Sequence, residues 1–320
     1  MTTPRVLQLA SSDEAFFDQQ IRALEAHGID CTKLVIPEPP GDRAARGLRE
    51  YASFYRDVLD ERTAEYDLVH ANYGLIGPLA LAQPIRPVVL TIWGSEVMGY
   101  TRRLDRITRF AAQRSDAVIA PNRTVSERLN CDHHVVPFGI NLELFRPIDR
   151  LEARRRLGWD RDALIVLFPY DPSRNVKRYD LAEELVARAS VPAELRTVSG
   201  RPYEEMPLVM NASDVLLVTS ERESGPMVVR EAAACNVPVV STDVGFVRET
   251  LGSVKNCYVT DNRRQLLAGL NAALRSSGRS NGRAVVRDFD LDRHAVEIIS
   301  IYRELLDRPV PTPVSPSGQS

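Results

Sequence analysis

The sequence predicts an α/β protein with two doubly wound, Rossmann-like parallel-sheet domains that face each other across a cleft. Short, nearly continuous apolar runs alternate with segments of helical periodicity, which is typical of a parallel sheet covered by helices on both faces. The alternation stops at Phe145-Arg146-Pro147 and then starts again. A chain of 320 residues is long enough for two domains of ordinary size.

The first half opens with a strand, a helix and a second strand. The apolar run 6–10 predicts the strand, and residues 14–27 place Phe17, Ile21 and Leu24 on one helical face. The remaining predicted elements are a strand at 31–36, a proline-rich turn at 37–41, a helix at 43–64, a strand at 68–71, a helix near Gly77, a strand at 88–93, a helix at 101–114, and strands at 117–120 and 135–137.

The second half repeats the pattern with strands that are again short and apolar. Its predicted strands are 164–168, 195–198, 215–218, 238–241 and 258–259, and its predicted helices are 179–189, 204–211, 226–235, 262–274 and 292–306.

We therefore predict an N-terminal domain at 1–148 and a C-terminal domain at 149–291. The last helix, about 292–308, is expected to return to the first domain. Residues 309–320 are rich in proline and serine and are predicted to form a disordered tail.

The stretch 219–249, TSERESGPMVVREAAACNVPVVSTDVGFVRE, carries the strongest functional pattern. Ser224-Gly225-Pro226 is a helix-start signal, with a small capping residue and then proline at the first helical position. The helix is predicted to end at Cys235, because Asn236 suits a left-handed residue and Pro238 bars continuation.

Two carboxylates flank the start of this helix. Glu223 precedes it, and Glu231 lies five residues after Pro226, roughly 7–8 Å along the axis. The free N–H groups and the positive end of the helix dipole between them form a natural anion site. A sugar linked by a diphosphate to a ribose has this layout. The alternative is that Glu223 only favours the helix dipole and Glu231 is solvated.

A basic loop follows the strand at 164–168. Arg174, Lys177 and Arg178 lie at this strand end, where ligands of doubly wound domains bind, and they suit a diphosphate. The alternative is a solvated basic turn.

Composition excludes several other classes of protein. The net charge of −2 argues against a general nucleic-acid binder, and the four cysteines lie far apart, which favours reduced thiols in the cytoplasm. We expect no signal peptide and no membrane span. Dinucleotide, P-loop and nucleophile-elbow motifs are missing from the sequence.

Arginines at helical spacing in 101–114 suit anionic lipid headgroups, with a plain solvated helix face as the alternative. Peripheral membrane contact is therefore one expectation for this helix.

These segments together resemble the family-4 retaining glycosyltransferases of the GT-B fold. The stretch 219–249 is similar to the family's signature of two glutamates separated by seven residues. NASDVLLVTS before it, HVVPFGINLELFRP at the domain junction and YDLVHANYG in the first half are also similar to family patterns.

The resemblance implies roles for residues at matching positions. Glu223 is expected to bind donor-sugar hydroxyls and Glu231 the ribose, while Lys177 neutralises the leaving diphosphate. Arg174 is expected to assist Lys177. The remaining expected donor contacts are Arg178, Ser224, Gly225, Pro226, Met227 and Val228, and Arg201 and Tyr203 are expected base contacts.

The first domain departs from the family pattern. Ser11 and Ser12 stand where a glycine loop is common, and Trp93-Gly94-Ser95-Glu96 resembles a His-Gly-x-Asp region with tryptophan and glutamate substituted. We expect His70, Trp93, Gly94 and Glu96 on the acceptor side.

The resemblance implies a hexosyl transfer from a nucleoside-diphosphate sugar to an alcohol, with no cofactor and no metal. The acceptor is left open between a saccharide, a lipid-linked alcohol and a small molecule. A nucleotide-sugar epimerase and a non-catalytic nucleotide-sugar-binding module are the alternatives, and the Trp93 and Glu96 substitutions favour the second of these.

Overall fold

The computed structural model describes residues 3–37, 47–61, 65–99, 101–198, 200–276 and 278–307. The elements of the first half are β1 (Arg5–Ala10), α1 (Ala15–Ala26), β2 (Asp30–Val35), α2 (Leu48–Asp60), β3 (Leu68–Asn72), α3 (Gly77–Ala82), β4 (Val88–Thr91), α4 (Arg102–Ala112), β5 (Ala117–Ala120), α5 (Arg123–Ser126) and β6 (His134–Val135).

The second half continues with short connections between its strands and helices. Its elements are α6 (Arg150–Leu157), β7 (Ile165–Phe168), α7 (Tyr179–Ala187), β8 (Glu194–Thr197), α8 (Met206–Ala212), β9 (Val215–Val218), α9 (Met227–Ala234), β10 (Val239–Ser241), α10 (Val247–Leu251), β11 (Tyr258–Val259), α11 (Arg263–Arg275), α12 (Gly282–Val286) and α13 (Leu291–Leu306), with 3-10 helices at Asn175–Lys177, Tyr203–Glu205 and Arg287–Phe289.

The described strands form two parallel sheets, ordered β2-β1-β3-β4-β5-β6 and β11-β10-β9-β7-β8. The predicted fold class, two doubly wound parallel-sheet domains across a cleft, is confirmed. Strand order reverses direction beside β1 in the first sheet and beside β7 in the second. Ligands of such sheets bind at this switch point, outside the carboxyl ends of the strands.

The core of each domain is built from the apolar strands that the sequence shows. Leu7, Val69 and Leu90 are fully buried in the first sheet, and Val166 and Leu217 in the second. Both faces of each sheet are covered by helices, so inward and outward side chains alike are apolar.

Two chain segments that run between the domains pack against each other. The Ile140 N–H donates to the Phe289 carbonyl at 2.7 Å, and the Leu291 N–H donates to the Ile140 carbonyl at 3.0 Å. A Cβ at Gly139 would stand 2.7 Å from Leu291 Cα, so only glycine permits this approach.

Helix α13 then packs on the first sheet, where Ile298 and Tyr302 join a cluster with Val6, Leu68 and Val89. The domain boundaries themselves stay a prediction.

Several predicted element bounds differ from the structure. The helix expected at 43–64 is described only as α2, and residues 38–46, 62–64 and the tail at 309–320 lie outside the described ranges. Helices α5, α6, α10 and α12 were not predicted, because their 4 to 8 residues give too few turns for a clear periodicity. Among the described residues, no helix combines the length and apolar character needed to cross a membrane.

His70 does not face the cleft, which corrects the expectation that it lies on the acceptor side. It stands in the middle of β3 with a fully buried side chain, Nδ1 lying 2.6 Å from Tyr302 Oη and Nε2 lying 2.7 Å from Thr91 Oγ1. Burial, with a smaller contribution from His294, lowers the pKa of His70 to about 3. The neutral imidazole therefore joins the sheet to α13.

Replacing Tyr302 with phenylalanine tests this buried network. The Tyr302 hydroxyl also accepts from Gln8 Nε2 at 3.1 Å, so Tyr302→Phe leaves two buried polar groups without that partner. We expect the free energy of unfolding in urea to fall by about 1–3 kcal/mol.

The matched control is Tyr55→Phe, which removes a hydroxyl that donates to the Ala82 carbonyl at 3.2 Å near the surface. Its expected cost is under about 0.5 kcal/mol. Equal losses in the two variants would contradict a structural role for the Tyr302 hydroxyl.

Candidate active site

A cavity of about 610 Å³ opens between the two domains. Its walls come from segments that follow the carboxyl ends of β1, β4, β7, β8 and β9 and from the start of α9, as the topology predicts. The lining residues are Glu14, Ala15, Phe16, Trp93, Ser95, Phe138, Pro169, Val198, Arg201, Tyr203, Met206, Ser224, Gly225, Met227, Val228 and Glu231.

The turn at Ser224 and Gly225 belongs to the second domain but is held by the first. The Ser224 hydroxyl donates to the Trp93 carbonyl at 3.2 Å, and Asn122 Nδ2 donates to the Ser224 carbonyl at 2.8 Å. Asn122 also caps α5 through its Oδ1, so its side chain is fixed in place. The turn is therefore clamped across the cleft.

Two glycines make this close contact possible. Gly94 has a φ of +113°, and a Cβ there would lie 2.3 Å from Ser224 Cβ. A Cβ at Gly225 would lie 2.5 Å from the Phe246 ring. Any larger residue at either position has to push the two backbones apart.

Helix α9 starts one residue later than predicted. Pro226 is its N-cap residue rather than its first helical residue, and no side chain caps the helix. Ser224 does not cap because its hydroxyl bonds across the cleft to Trp93. Asn236 has a φ of +55° beyond the helix end, as predicted.

The amino end of α9 faces the cavity, which Met227 and Val228 line. The first N–H groups of a helix have no partner within it and carry its positive dipole end. This wall of the cavity is therefore suited to an anion.

Lys177 and Glu223 form an ion pair beside the cavity rather than within it. The Lys177 ammonium donates to Glu223 Oε1, which also accepts from the Ser220 hydroxyl at 2.8 Å. The two side chains are only 6% and 14% exposed. Lys177 Nζ also lies 3.9 Å from the centroid of the Tyr170 ring.

Burial lowers the pKa of Lys177, and the Glu223 carboxylate opposes that shift. The ring face of Tyr170 adds a cation–π contact to this buried charge. Neither Lys177 nor Glu223 lines the cavity, although Ser224, the residue after Glu223, does.

The basic loop is tied to the end of β9. The Thr219 hydroxyl lies 2.9 Å from the carbonyls of both Lys177 and Arg178, and Arg178 has a φ of +53° between the 3-10 helix and α7. Arg174 is exposed at the start of that 3-10 helix, and its charge contributes to the lowered pKa of Lys177 after burial. Arg174 and Arg178 do not line the cavity.

Glu231 lines the cavity and is almost completely buried. The Tyr203 hydroxyl donates to its Oε1 at 2.9 Å. Burial raises the pKa of Glu231 to about 7, and the Tyr203 hydrogen bond opposes the shift. Arg201 lines the same end and pairs with Glu205 at 3.1 Å.

The residues expected on the acceptor side separate in the structure. Trp93 lines the cavity, whereas Glu96 is buried and its Oε1 accepts from the backbone N–H groups of Trp93 at 2.8 Å and Gly74 at 3.1 Å. Burial raises the pKa of Glu96. Glu96 and Gly94 therefore shape the turn that carries Trp93, and Glu96 does not face the cavity as expected.

Sequence reasoning missed an aromatic wall. The Phe16 ring centroid lies 5.3 Å from that of Trp93 and 5.1 Å from that of Phe138, and all three side chains line the cavity. Ser11 and Ser12 form the bend before Phe16 and do not line the cavity. The sequence carried no signal for this wall, because the three aromatic residues come from separate connections.

Arg230 is a second feature that the sequence did not indicate. Its guanidinium carbon lies 3.8 Å from the ring centroids of both Phe246 and Phe289, and its Nη1 donates to the Phe138 carbonyl at 3.3 Å. Burial lowers the pKa of Arg230 to about 10. This side chain links α9 to both segments that run between the domains.

Within the described ranges, no group of three or more histidine, cysteine, aspartate or glutamate side chains is arranged to hold a metal ion.

Comparison with protein families gives two matches. Residues 6–144 match the model described as Glycosyltransferase Family 4, and residues 175–284 match the model described as Glycosyl transferases group 1.

Two relatives illustrate the similarity. TuaC of Bacillus subtilis, named as a glycosyltransferase of teichuronic acid biosynthesis, is 24% identical over 79% of this chain and 82% of its own length. D-inositol 3-phosphate glycosyltransferase 1 of Catenulispora acidiphila is 27% identical over 59% of this chain and 60% of its own length.

Two solved structures share the fold. Sucrose-phosphate synthase from Thermosynechococcus elongatus superimposes with a TM-score of 0.77 at 18% identity, covering 94% of this chain and 99% of its own. Anabaena HepE in complex with UDP-glucose gives a TM-score of 0.74 at 17% identity, covering 93% and 99%.

The shifted pKa of Glu231 predicts a pH-dependent stability difference. A carboxyl group whose pKa rises from 4.5 unfolded to about 7 folded stabilises the fold when protonated, and this contribution is lost as pH rises through 7. Between pH 4.5 and pH 8, wild type should therefore lose about 3 kcal/mol relative to Glu231→Gln, measured by urea unfolding at each pH.

Glu183→Gln, which alters an exposed carboxyl on α7, is the control and should follow wild type. Parallel curves for wild type and Glu231→Gln would show that Glu231 is not desolvated in the folded protein.

Proposed function

The chain is a family-4 glycosyltransferase with the GT-B fold, and we propose that it moves a hexose from a nucleoside-diphosphate sugar to a hydroxyl of an acceptor. We further propose that the anomeric configuration is retained and that no metal ion takes part. One observation carries the donor assignment: the amino end of α9 and Glu231 share a cavity, beside which Lys177 and Glu223 form a buried pair.

The donor is proposed to lie across the amino end of α9. Glu231 is suited to accept hydrogen bonds from ribose hydroxyls, because its carboxyl lies in the cavity wall and is held by Tyr203. Arg201 and Tyr203, at the same end, suit the base. The backbone of Gly225, Met227 and Val228 then faces the diphosphate.

Glu223 and Lys177 are proposed to serve the reacting end of the donor. The Glu223 carboxylate is suited to sugar hydroxyls, and the Lys177 ammonium is suited to the diphosphate, with Arg174 at the rim. The two groups already share one hydrogen-bonded network with Ser220. Donor binding therefore exchanges the Lys177–Glu223 contact for contacts to phosphate and hydroxyl groups.

The proposed catalytic effect is electrostatic. As the bond between the anomeric carbon and the phosphate oxygen breaks, negative charge grows on the leaving nucleoside diphosphate. A desolvated ammonium and a helix N-terminus stabilise that charge strongly, because little water screens them. This source of positive charge supports a reaction without a metal ion, and an assay in excess chelator tests it.

The first domain is proposed to bind the acceptor. Phe16, Trp93 and Ser95 line the cavity opposite α9, so an acceptor hydroxyl held there approaches the donor from the other domain. Movement of the two domains toward each other then excludes water and limits hydrolysis of the donor.

Substitution of the buried pair tests the proposed chemistry. Lys177→Ala removes the cation expected to stabilise the leaving group, and Glu223→Gln removes the carboxylate expected to hold the sugar. Each variant should lower turnover at least about tenfold, the effect of losing one strong transition-state contact, in an assay that follows release of the nucleoside diphosphate.

Lys255→Ala and Glu183→Gln remove the same groups from exposed positions and should retain wild-type turnover. Thermal unfolding of all four variants checks that they fold. Wild-type rates in both Lys177→Ala and Glu223→Gln would refute the assignment.

Nucleotide binding is tested separately by thermal shift. Because the related fold of HepE holds UDP-glucose, UDP is the first ligand to test, with GDP and ADP beside it. A ligand at about 100 times its Kd stabilises the native state by about 2.7 kcal/mol, which should raise the melting temperature by several degrees.

Uridine is the matched ligand without phosphates and should give a much smaller shift than UDP. In Lys177→Ala the difference between UDP and uridine should shrink. Equal shifts from UDP and uridine in wild type would argue against a diphosphate at the end of α9.

A further inference from the structure

Helix α4 displays a face that the transfer reaction does not use. Its exposed residues, together with the turn after it, follow a spacing of i, i+1, i+4, i+5, i+8 and i+12 and therefore lie on one side of the helix. These residues are Arg102, Arg103, Arg106, Ile107, Phe110 and Arg114, and we call them the α4 face.

The charge of the α4 face is strongly positive. The single acidic residue in α4 is Asp105, and its carboxylate accepts from Arg109 Nε at 3.1 Å, at the side of the helix. The four arginines of the α4 face therefore have no acidic residue of α4 among them. The whole chain has a net charge of −2, so this positive charge is a local concentration.

Two large apolar side chains lie among these arginines. Ile107 is 40% exposed and Phe110 is 48% exposed. The Arg114 guanidinium carbon lies 3.9 Å from the Phe110 ring centroid, so the cation rests against the ring. An exposed aliphatic and an exposed aromatic residue within a cluster of cations are costly in water and call for a partner that is both anionic and apolar.

The opposite side of α4 is fixed to the first domain. Thr108, Ala111 and Ala112 are buried there. A Cβ at Gly74 would meet Thr108 Oγ1 at 2.2 Å, and one at Gly77 would meet Ala111 Cβ at 2.5 Å, so glycines let the helix approach closely. The α4 face therefore cannot turn inward and is presented as a rigid surface.

We propose that the α4 face docks on a bilayer containing anionic phospholipids. The arginines contact lipid phosphates, while Ile107 and Phe110 enter the boundary between headgroups and acyl chains. A lipid surface matches both properties of the face, whereas the backbone of duplex nucleic acid offers phosphates without an apolar layer. The proposal does not depend on the donor or on the chemistry of transfer.

Vesicle sedimentation with the full chain tests the proposal. The protein should bind vesicles of phosphatidylcholine mixed with phosphatidylglycerol, should bind phosphatidylcholine vesicles weakly, and should dissociate as salt rises. Arg103→Gln combined with Arg106→Gln should weaken binding to the anionic vesicles roughly 30-fold. Ile107→Ser combined with Phe110→Ser should also weaken it, at low and high salt alike.

Matched controls come from exposed positions on other helices. Arg156→Gln combined with Arg264→Gln removes the same charge from α6 and α11, and Val296→Ser removes an apolar side chain on α13 that is 51% exposed. Both controls should bind vesicles like wild type. Thermal unfolding verifies that every variant is folded, and turnover on a soluble acceptor should be unchanged in all of them.

Three outcomes would overturn the proposal. The first is equal binding to neutral and anionic vesicles, or none to either. The second is undiminished binding by the two α4 double variants. The third is a lipid-free dimer of wild type that Ile107→Ser with Phe110→Ser converts to a monomer, because a second copy would then be the partner of the face.

Discussion

The close approach of the Ser224–Gly225 turn to the first domain is the constraint on which the site depends. The turn is held by Trp93 and Asn122 through hydrogen bonds that cross the cleft. Gly94 on one side permits the backbones to come this close. Because α9 begins directly after the turn, the clamp also directs the amino end of that helix at the cavity. A backbone constraint therefore sets the position of an electrostatic feature.

Buried ionisable groups gather around this clamp, and each has a compensating partner. Lys177 pairs with Glu223, Glu231 accepts from Tyr203, and Arg230 lies between two aromatic rings. Burying charges is costly, so such groups persist where the fold compensates them and where function uses their altered properties. In a glycosyltransferase, a desolvated cation and a desolvated acid beside a helix N-terminus form an environment that responds strongly to a diphosphate.

Much of the fold and part of the site follow from local sequence patterns. The apolar runs predicted the strands of both sheets, and the 219–249 stretch predicted a helix start with Gly225, Met227, Val228 and Glu231 near a ligand, where the structure places them at the cavity. His70 and Glu96 were placed wrongly, since a sequence does not show which side of a strand or turn is covered. His70 lies beneath α13, which is more than 200 residues away in sequence.

The sequence by itself determined the alternation of strands and helices, the two-domain organisation and the identity of the signature residues, because these depend on local periodicity and spacing. Only the tertiary structure decided that Glu223 is held by Lys177 beside the cavity, that Ser224 bonds to Trp93 instead of capping α9, and that Phe16, Trp93 and Phe138 form one wall. Each of these depends on contacts between segments far apart in the chain, which the packing of two domains creates and no local pattern encodes.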